Sequence, residues 1–362
     1  MAADRLLHRP VLLFPSERGR GELGPAARHG RVSARPDRQA PHPARAARGV
    51  RPLRGRRLRQ ALHRVGGRPF RVGGNPMSLL ILAVDQRPWL TQALYGHTTT
   101  ALPAERAAVT DGKHMVLEGL LAALDAEPRL AAHAGILVDD QLGAGVPERA
   151  RAHRVALSMP VERGGCDVYE TEPADLPGFL AHFRPEFPKV LVRYNVEGSA
   201  ADNREQRSRL AKVSQAVRDA GGRFLFELLV PPTPAQRSIP SDVFDNEVRP
   251  GLIHRAMAEI VEEVPVDVWK LEHLGAPEHY WTAADLAAQT GGECILLGAN
   301  APRATLDGWL ADAGANGFTG FAIGRSIWWD SLRGLLAGDL TRPEAIAAVA
   351  ANYRHFAGTF LQ

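Results

Sequence analysis

The stretch VPVDVWKLEHLG, residues 264–275, puts a lysine inside what otherwise reads as a buried β-strand. Val266, Val268, Trp269 and Leu271 suit a strand that is apolar on both faces, as in a parallel sheet covered by helices. A cation in such a strand is costly unless something nearby pairs it or uses it. Alternation with period two puts Val266, Val268, Lys270 and Glu272 on one face and Asp267, Trp269 and Leu271 on the other. With Trp269 and Leu271 against helices, Lys270 points to the opposite side.

Outward from this strand, seven more apolar runs recur: LLILAVD (79–85), GILVDD (135–140), VALSMPV (155–161), KVLVRYN (189–195), RFLFELLV (223–230), CILLGAN (294–300) and GFAIGRS (320–326). Longer amphipathic stretches separate them. AERAAVTDGKHMVLEGLLAAL (104–124), DNREQRSRLAKVSQAVRDAGG (202–222) and RPGLIHRAMAEIVEE (249–263) read as helices, the middle one closing on glycines as helices often do. Strands alternating with helices predict βα units, and eight of them in the 286 residues from Met77 onward predict an α/β fold, a single closed (β/α)8 TIM barrel. The linker QLGAGVPERARAH (141–153) is short for a crossover helix and is the weakest joint. An open doubly wound sheet is disfavoured because no G-x-G-x-x-G follows the first run.

Barrel enzymes place their chemistry at the carboxy-terminal mouth of the strands. There the sequence turns polar: Asp85, Asp139 with Asp140, Arg193, Glu227, Lys270 with Glu272, Asn300 and Arg325. Inside a barrel Lys270 would lose hydration, which favours the neutral amine that attacks a carbonyl. The strand alone leaves a second reading open, a buried ion pair of Lys270 with Glu272 or Glu227. Glu227 shares the inward face with Leu225, one strand away, within reach to act as general acid/base or as counter-ion. The runs ending GAN and GRS expose backbone N–H groups around Gly298, Asn300 and Gly324, and Arg325 adds a guanidinium suited to phosphate oxygens. Ordinary tight turns would use the same glycines. No histidine spacing matches a metal motif, so neither a metal nor another cofactor is expected, and His97, His114 and His254 read as surface or helix residues.

Composition divides the chain at Met77. Residues 1–76 hold 18 Arg and no Lys against two Asp and two Glu, a net charge of +14, with nine Pro and ten Gly, whereas the remainder carries −10. The first part is expected to be a disordered basic extension, and Met77, followed at once by strand sequence, is read as the true start. An arginine-rich arm for nucleic acid is disfavoured, for it lacks lysine and stacking aromatics. Two cysteines, Cys166 and Cys294, suit a reduced cytoplasmic setting, and no run is long and apolar enough for a membrane span or signal peptide. A homo-oligomer is left open.

LAVDQR, LVRYN followed by EG, FLFELLVPPT, DVWKLE, ILLGAN and GFAIGRSIWWD together resemble the aldolase-like domain fused to the carboxy terminus of bacterial 5-dehydro-2-deoxygluconokinase, in inositol catabolism. That domain is similar in turn to class I tagatose-1,6-bisphosphate and sulfofructose-phosphate aldolases. The resemblance implies a Schiff-base lysine at Lys270 and an acid/base glutamate at Glu227. It also implies substrate contacts at Asp85, Gln86 and Arg87, a carboxylate contact at Arg193 or Arg87, and phosphate binding at Gly324 and Arg325. The implied partner is a sugar phosphate, foremost 2-deoxy-5-keto-gluconate 6-phosphate. The alternatives are tagatose bisphosphate, sulfofructose phosphate, or a non-catalytic sugar-phosphate sensor. Ala299 and Asn300 depart from the arginine and second glycine expected after Gly298, and residues 1–76 are not expected to supply the kinase that usually precedes the domain.

Overall fold

A strand overlaps each apolar run: β1 (Leu79–Ala83), β2 (Ala134–Leu137), β3 (Ala156–Pro160), β4 (Phe187–Arg193), β5 (Leu225–Leu229), β6 (Val268–Leu271), β7 (Glu293–Leu297) and β8 (Gly320–Ile323). They come from a computed structural model that describes residues 78–97 and 102–362. The expected disorder of residues 1–76, the start at Met77 and the boundary drawn there lie outside the described residues. Every strand pairs in parallel with the next, and β8 returns to pair with β1, closing a (β/α)8 barrel.

The principal helices are α1 (Pro88–Tyr95), α2 (Pro103–Ala126), α3 (Val146–Ala152), α4 (Leu176–Phe183), α5 (Ala200–Asp219), α6 (Arg249–Ile260), α7 (Pro277–Ala288), α8 (Arg303–Ala315), α9 (Arg325–Ala337) and α10 (Arg342–Phe360). The short linker after β2 makes its crossover with α3, seven residues entered through Gly145 at φ +81°, a left-handed geometry that glycine takes without strain.

Alternation along the strands builds two apolar layers. Leu79, Ile81, Ala83, Leu137, Phe187, Leu225, Val268, Ile295 and Ala322 fill the barrel interior. Phe224, Phe226, Leu228, Trp269 and Leu271 face the helices, where Trp269 packs tilted on Phe226 at 5.1 Å. Burying an aliphatic or phenyl side chain this fully contributes roughly 1.5–3 kcal/mol before chain entropy is counted. Val266 departs from the expected alternation: it belongs to the helix-side layer, because β6 begins only at Val268. Within β6 the alternation holds, and the register sets Glu227 directly opposite Lys270.

Candidate active site

A cavity of about 540 Å³ opens at the carboxy-terminal ends of the strands. Of the residues singled out from the sequence it is lined by Asp85, Gln86, Arg87, Arg193, Glu227, Lys270, Glu272, Gly298, Asn300, Gly324 and Arg325, but not by Asp139 or Asp140. At its base the hydrocarbon filling of the barrel gives way to a network of buried charges.

Glu227 is the hinge of that network. Its Oε1 lies 3.0 Å from Lys270 Nζ and its Oε2 2.9 Å from Nζ of Lys189, which enters from β4. Lys189 Nζ also meets Asp85 Oδ2 and Glu162 Oε1, each at 2.9 Å. Arg87 donates to the Glu162 carbonyl at 3.1 Å and approaches its Oε1 at 3.4 Å. The six groups comprise three cations and three anions, so none stands as an uncompensated buried charge.

The two lysines differ in partners. Burial alone would favour a neutral Lys189, but Asp85, Glu162 and Glu227 outweigh it and raise its pKa well above the ordinary lysine value. Lys189 is therefore a fixed ammonium. Lys270 has one carboxylate at ion-pair distance, Glu227, feels Asp85 at longer range, and lines the cavity. Burial pushes the Asp85 carboxyl up, yet Lys189, then Lys270 and Arg87, hold it below the usual carboxylate range. Glu227 is likewise held low, burial being overcome by Lys189 and Lys270. At Glu162 burial prevails over Lys189 and Arg87 and raises the carboxyl, and its Oε2 has no hydrogen-bond partner.

The other expected residues occupy the walls. Glu272 accepts from the Val230 amide at 2.9 Å and lies 3.3 Å from Arg249, and burial raises its carboxyl despite that arginine. Arg193 donates to the Cys166 carbonyl at 3.2 Å and forms no ion pair among the described residues. Just past β7, Ala299 and Asn300 take left-handed backbone at φ +49° and +59°, turning the loop sharply at the cavity rim. Gly324 starts α9 as its N-cap, and a Cβ there would lie 2.5 Å from the Ala83 carbonyl oxygen, so only glycine fits. Arg325, the first residue of α9, lays its guanidinium over the Trp89 ring at 4.5 Å, and burial lowers its pKa. An orphan helix N-terminus, a glycine and an arginine converge there on one side of the cavity, a set suited to an anion.

Sequence reasoning missed Lys189, Glu162 and Trp89. Lys189 carried a usable signal, since it shares the inward alternation with Leu191 and Arg193 in KVLVRYN. Glu162 lies just past β3, and its partners are 27 residues ahead and 75 behind, which no local pattern reports. Among the described residues no group of three or more His, Cys, Asp or Glu is placed to hold a metal ion, and no helix is long and apolar enough to cross a membrane.

A family model described as "Uncharacterized protein conserved in bacteria (DUF2090)" matches residues 44–362. The chain belongs to the DUF2090 family. No curated protein matches its sequence significantly. The barrel of this DUF2090 member is similar to the crystal structure of Cgl0159 from Corynebacterium glutamicum (Brevibacterium flavum), with a TM-score of 0.52 and 16% identity over 78% of this chain and 86% of that one. It is also similar to an archaeal fructose-1,6-bisphosphate aldolase whose catalytic lysine is covalently bound to the carbinolamine intermediate of the substrate, with a TM-score of 0.52 and 14% identity over 79% and 95% of the two chains. A Schiff-base-forming fructose-1,6-bisphosphate aldolase follows at 0.50 and 14% over 77% and 94%. At these identities the DUF2090 chain shares with them the fold.

Proposed function

We propose that the barrel is a class I aldolase that cleaves a phosphorylated ketose or keto-acid through a Schiff base on Lys270. The observation that carries this reading is the unequal pairing of the two lysines on either side of Glu227. Lys189, clamped by three carboxylates, is a permanent cation and a poor nucleophile. Lys270, at the cavity floor with a single carboxylate in direct contact, is the amine placed to attack a carbonyl. The likeness of the fold to Schiff-base aldolases supports the reading.

In the forward direction Lys270 Nζ adds to the substrate ketone, and the resulting carbinolamine loses water to give an iminium. The Glu227 carboxylate then takes the proton from the hydroxyl on the carbon β to the iminium carbon. The carbon–carbon bond breaks as that hydroxyl becomes an aldehyde, and its electron pair passes to the iminium, leaving an enamine. Protonation of the enamine and addition of water release the second product and restore the amine. Lys189, fixed between Asp85 and Glu227, holds both side chains in place and keeps Glu227 ionised until it takes that proton. Asp85 orients substrate hydroxyls, while Gly298, Asn300, Gly324 and Arg325 hold the phosphate.

As the specific substrate we infer 2-deoxy-5-keto-gluconate 6-phosphate, giving dihydroxyacetone phosphate and malonate semialdehyde, as the sequence resemblance to the inositol-catabolism domain implies. Arg193, a cavity-lining guanidinium with no ion pair among the described residues, is available to the terminal carboxylate of such a keto-acid. The test is borohydride reduction of the protein with dihydroxyacetone phosphate, followed by intact mass and peptide mapping. An adduct on Lys270 is expected. A protein that binds the phosphate ester but gives no adduct would instead be a sugar-phosphate sensor.

A further inference from the structure

Asp139, polar at the end of the second apolar run, is not in the cavity. It is fully buried behind β2, where both carboxylate oxygens lie 2.9 Å from Nζ of Lys113, itself fully buried on α2. The same ammonium donates to the backbone carbonyl of Gln86 at 3.1 Å. We propose that Lys113 and Asp139 are a positioning pair that fixes the loop Asp85–Gln86–Arg87 and thereby sets the placement of the Asp85 and Arg87 side chains in the cavity. The proposal rests on the aldolase reading for its catalytic consequence, and on geometry alone for the loop.

The argument is one of function against stability. An apolar pair of similar volume would hold α2 against β2 at least as well, because desolvating two charges costs about as much as their attraction returns. What an apolar pair cannot supply is a donor for the Gln86 carbonyl. Lys113 has three N–H donors, two directed to Asp139 and the third to Gln86. Asp139 in turn accepts the Leu142 amide at 3.2 Å, so the pair is anchored to the turn after β2 rather than free to swing. The residues flanking the pinned carbonyl are the two that reach the charge network, Asp85 onto Lys189 at 2.9 Å and Arg87 onto Glu162. A second side chain from outside the barrel acts on the same segment: Trp328 Nε1 donates to the Ala83 carbonyl at 2.8 Å. The loop is thus held from behind by buried donors, and its side chains face the site in one arrangement.

The experiment compares the full chain with Lys113→Met and with Lys113→Met combined with Asp139→Leu. Four quantities are read: thermal unfolding, trapping of Lys270 with dihydroxyacetone phosphate and borohydride, turnover of fructose 1,6-bisphosphate as a probe ketose, and amide hydrogen exchange at residues 84–87. The single variant leaves a carboxylate buried and unpaired and should melt well below the parent. The double variant should recover its melting temperature and trap Lys270 as the parent does, while turnover stays about tenfold to a hundredfold lower and residues 84–87 exchange faster. Recovery of turnover and of protection at residues 84–87 together with stability would overturn the proposal and leave the pair a structural one. A parent protein that neither traps nor turns over would overturn the aldolase reading instead, and the exchange at residues 84–87 would still decide the positioning role. Should the double variant not fold, Asp139→Asn is measured in the same way, with exchange like the parent's again counting against the proposal.

Discussion

Glu227 stands directly opposite Lys270 across the β5–β6 pairing, and its Oε1 meets Lys270 Nζ at 3.0 Å. Parallel register and inward alternation alone bring the pair together, since both residues sit in strands whose other faces are sealed by Phe224, Phe226, Trp269 and Leu271. In the proposed reaction Glu227 has two jobs, neutralising the lysines before substrate arrives and accepting a proton afterwards.

Replacing Glu227 by Gln separates those jobs. The amide keeps the shape and can still bond an amine but cannot take the hydroxyl proton. Turnover is expected to fall by about 10²–10⁴, while borohydride with dihydroxyacetone phosphate still labels Lys270. Steady-state rates and peptide mapping on the same preparation check this. Undiminished turnover would reduce Glu227 to a counter-ion.

Lys189→Met tests which lysine is which. It removes the ammonium shared by Asp85, Glu162 and Glu227 and leaves three carboxylates facing one another in a buried site. A stability loss of about 3–5 kcal/mol is expected by denaturant titration, typical of a broken buried ion pair. The adduct should remain on Lys270. An adduct that vanishes from a folded Lys189→Met protein would assign the nucleophile to Lys189.

The barrel was legible in the sequence because the strands are largely apolar on both faces and most of the runs turn polar toward their carboxy-terminal ends, a pattern that period two and parallel pairing jointly favour. Lys270, Glu227 and Asp85 were legible for the same reason, a charge toward the end of a sealed strand, although Asp139 meets that description and turns to Lys113 behind β2 instead. Lys189 was not picked out because it begins its run rather than ends it, and the run was read from its polar end, Arg193. Glu162 was out of reach, since its meaning comes from Lys189 and Arg87, brought to it by closure of the barrel. The Lys113–Gln86 contact is a side chain on a helix meeting a backbone carbonyl of a loop, and spacing carries no trace of it.

The charge network also predicts a pH dependence. Asp85 and Glu227 have folded pKa values below those of free carboxylates, because burial, which raises them, is overcome by Lys189 and Lys270 together with their other partners. Their stabilising contribution is therefore full above about pH 4–5 and is lost as the pH falls through the folded values. Glu162, raised by burial, runs the other way and blunts the loss. Asp85→Asn should be less stable than the parent near neutrality, and the gap should shrink as the pH falls below about 4. Urea midpoints across that range measure it. A gap independent of pH would mean that Asp85 acts by packing rather than by charge.

Gly324 and Arg325 stand together at the start of α9 on one side of the cavity. A methyl at residue 324 would press on the Ala83 carbonyl at 2.5 Å, and relief requires the first turn of α9 to move away from β1. Its orphan N–H groups would move with it. Gly324→Ala is thus expected to weaken competitive inhibition by inorganic phosphate at least about tenfold, the scale of losing one or two charge-assisted contacts, and to raise KM for a phosphorylated ketose in step. Arg325→Ala should do the same without a steric cost, since its guanidinium meets no carboxylate among the described residues and rests on Trp89. Both variants should leave the Lys270 amine reactive toward a carbonyl compound that carries no phosphate, because neither residue contacts it. If phosphate inhibits Arg325→Ala as well as it inhibits the parent, the phosphate binds elsewhere and the orientation of the substrate along the cavity must be reversed, with Arg193 holding that end.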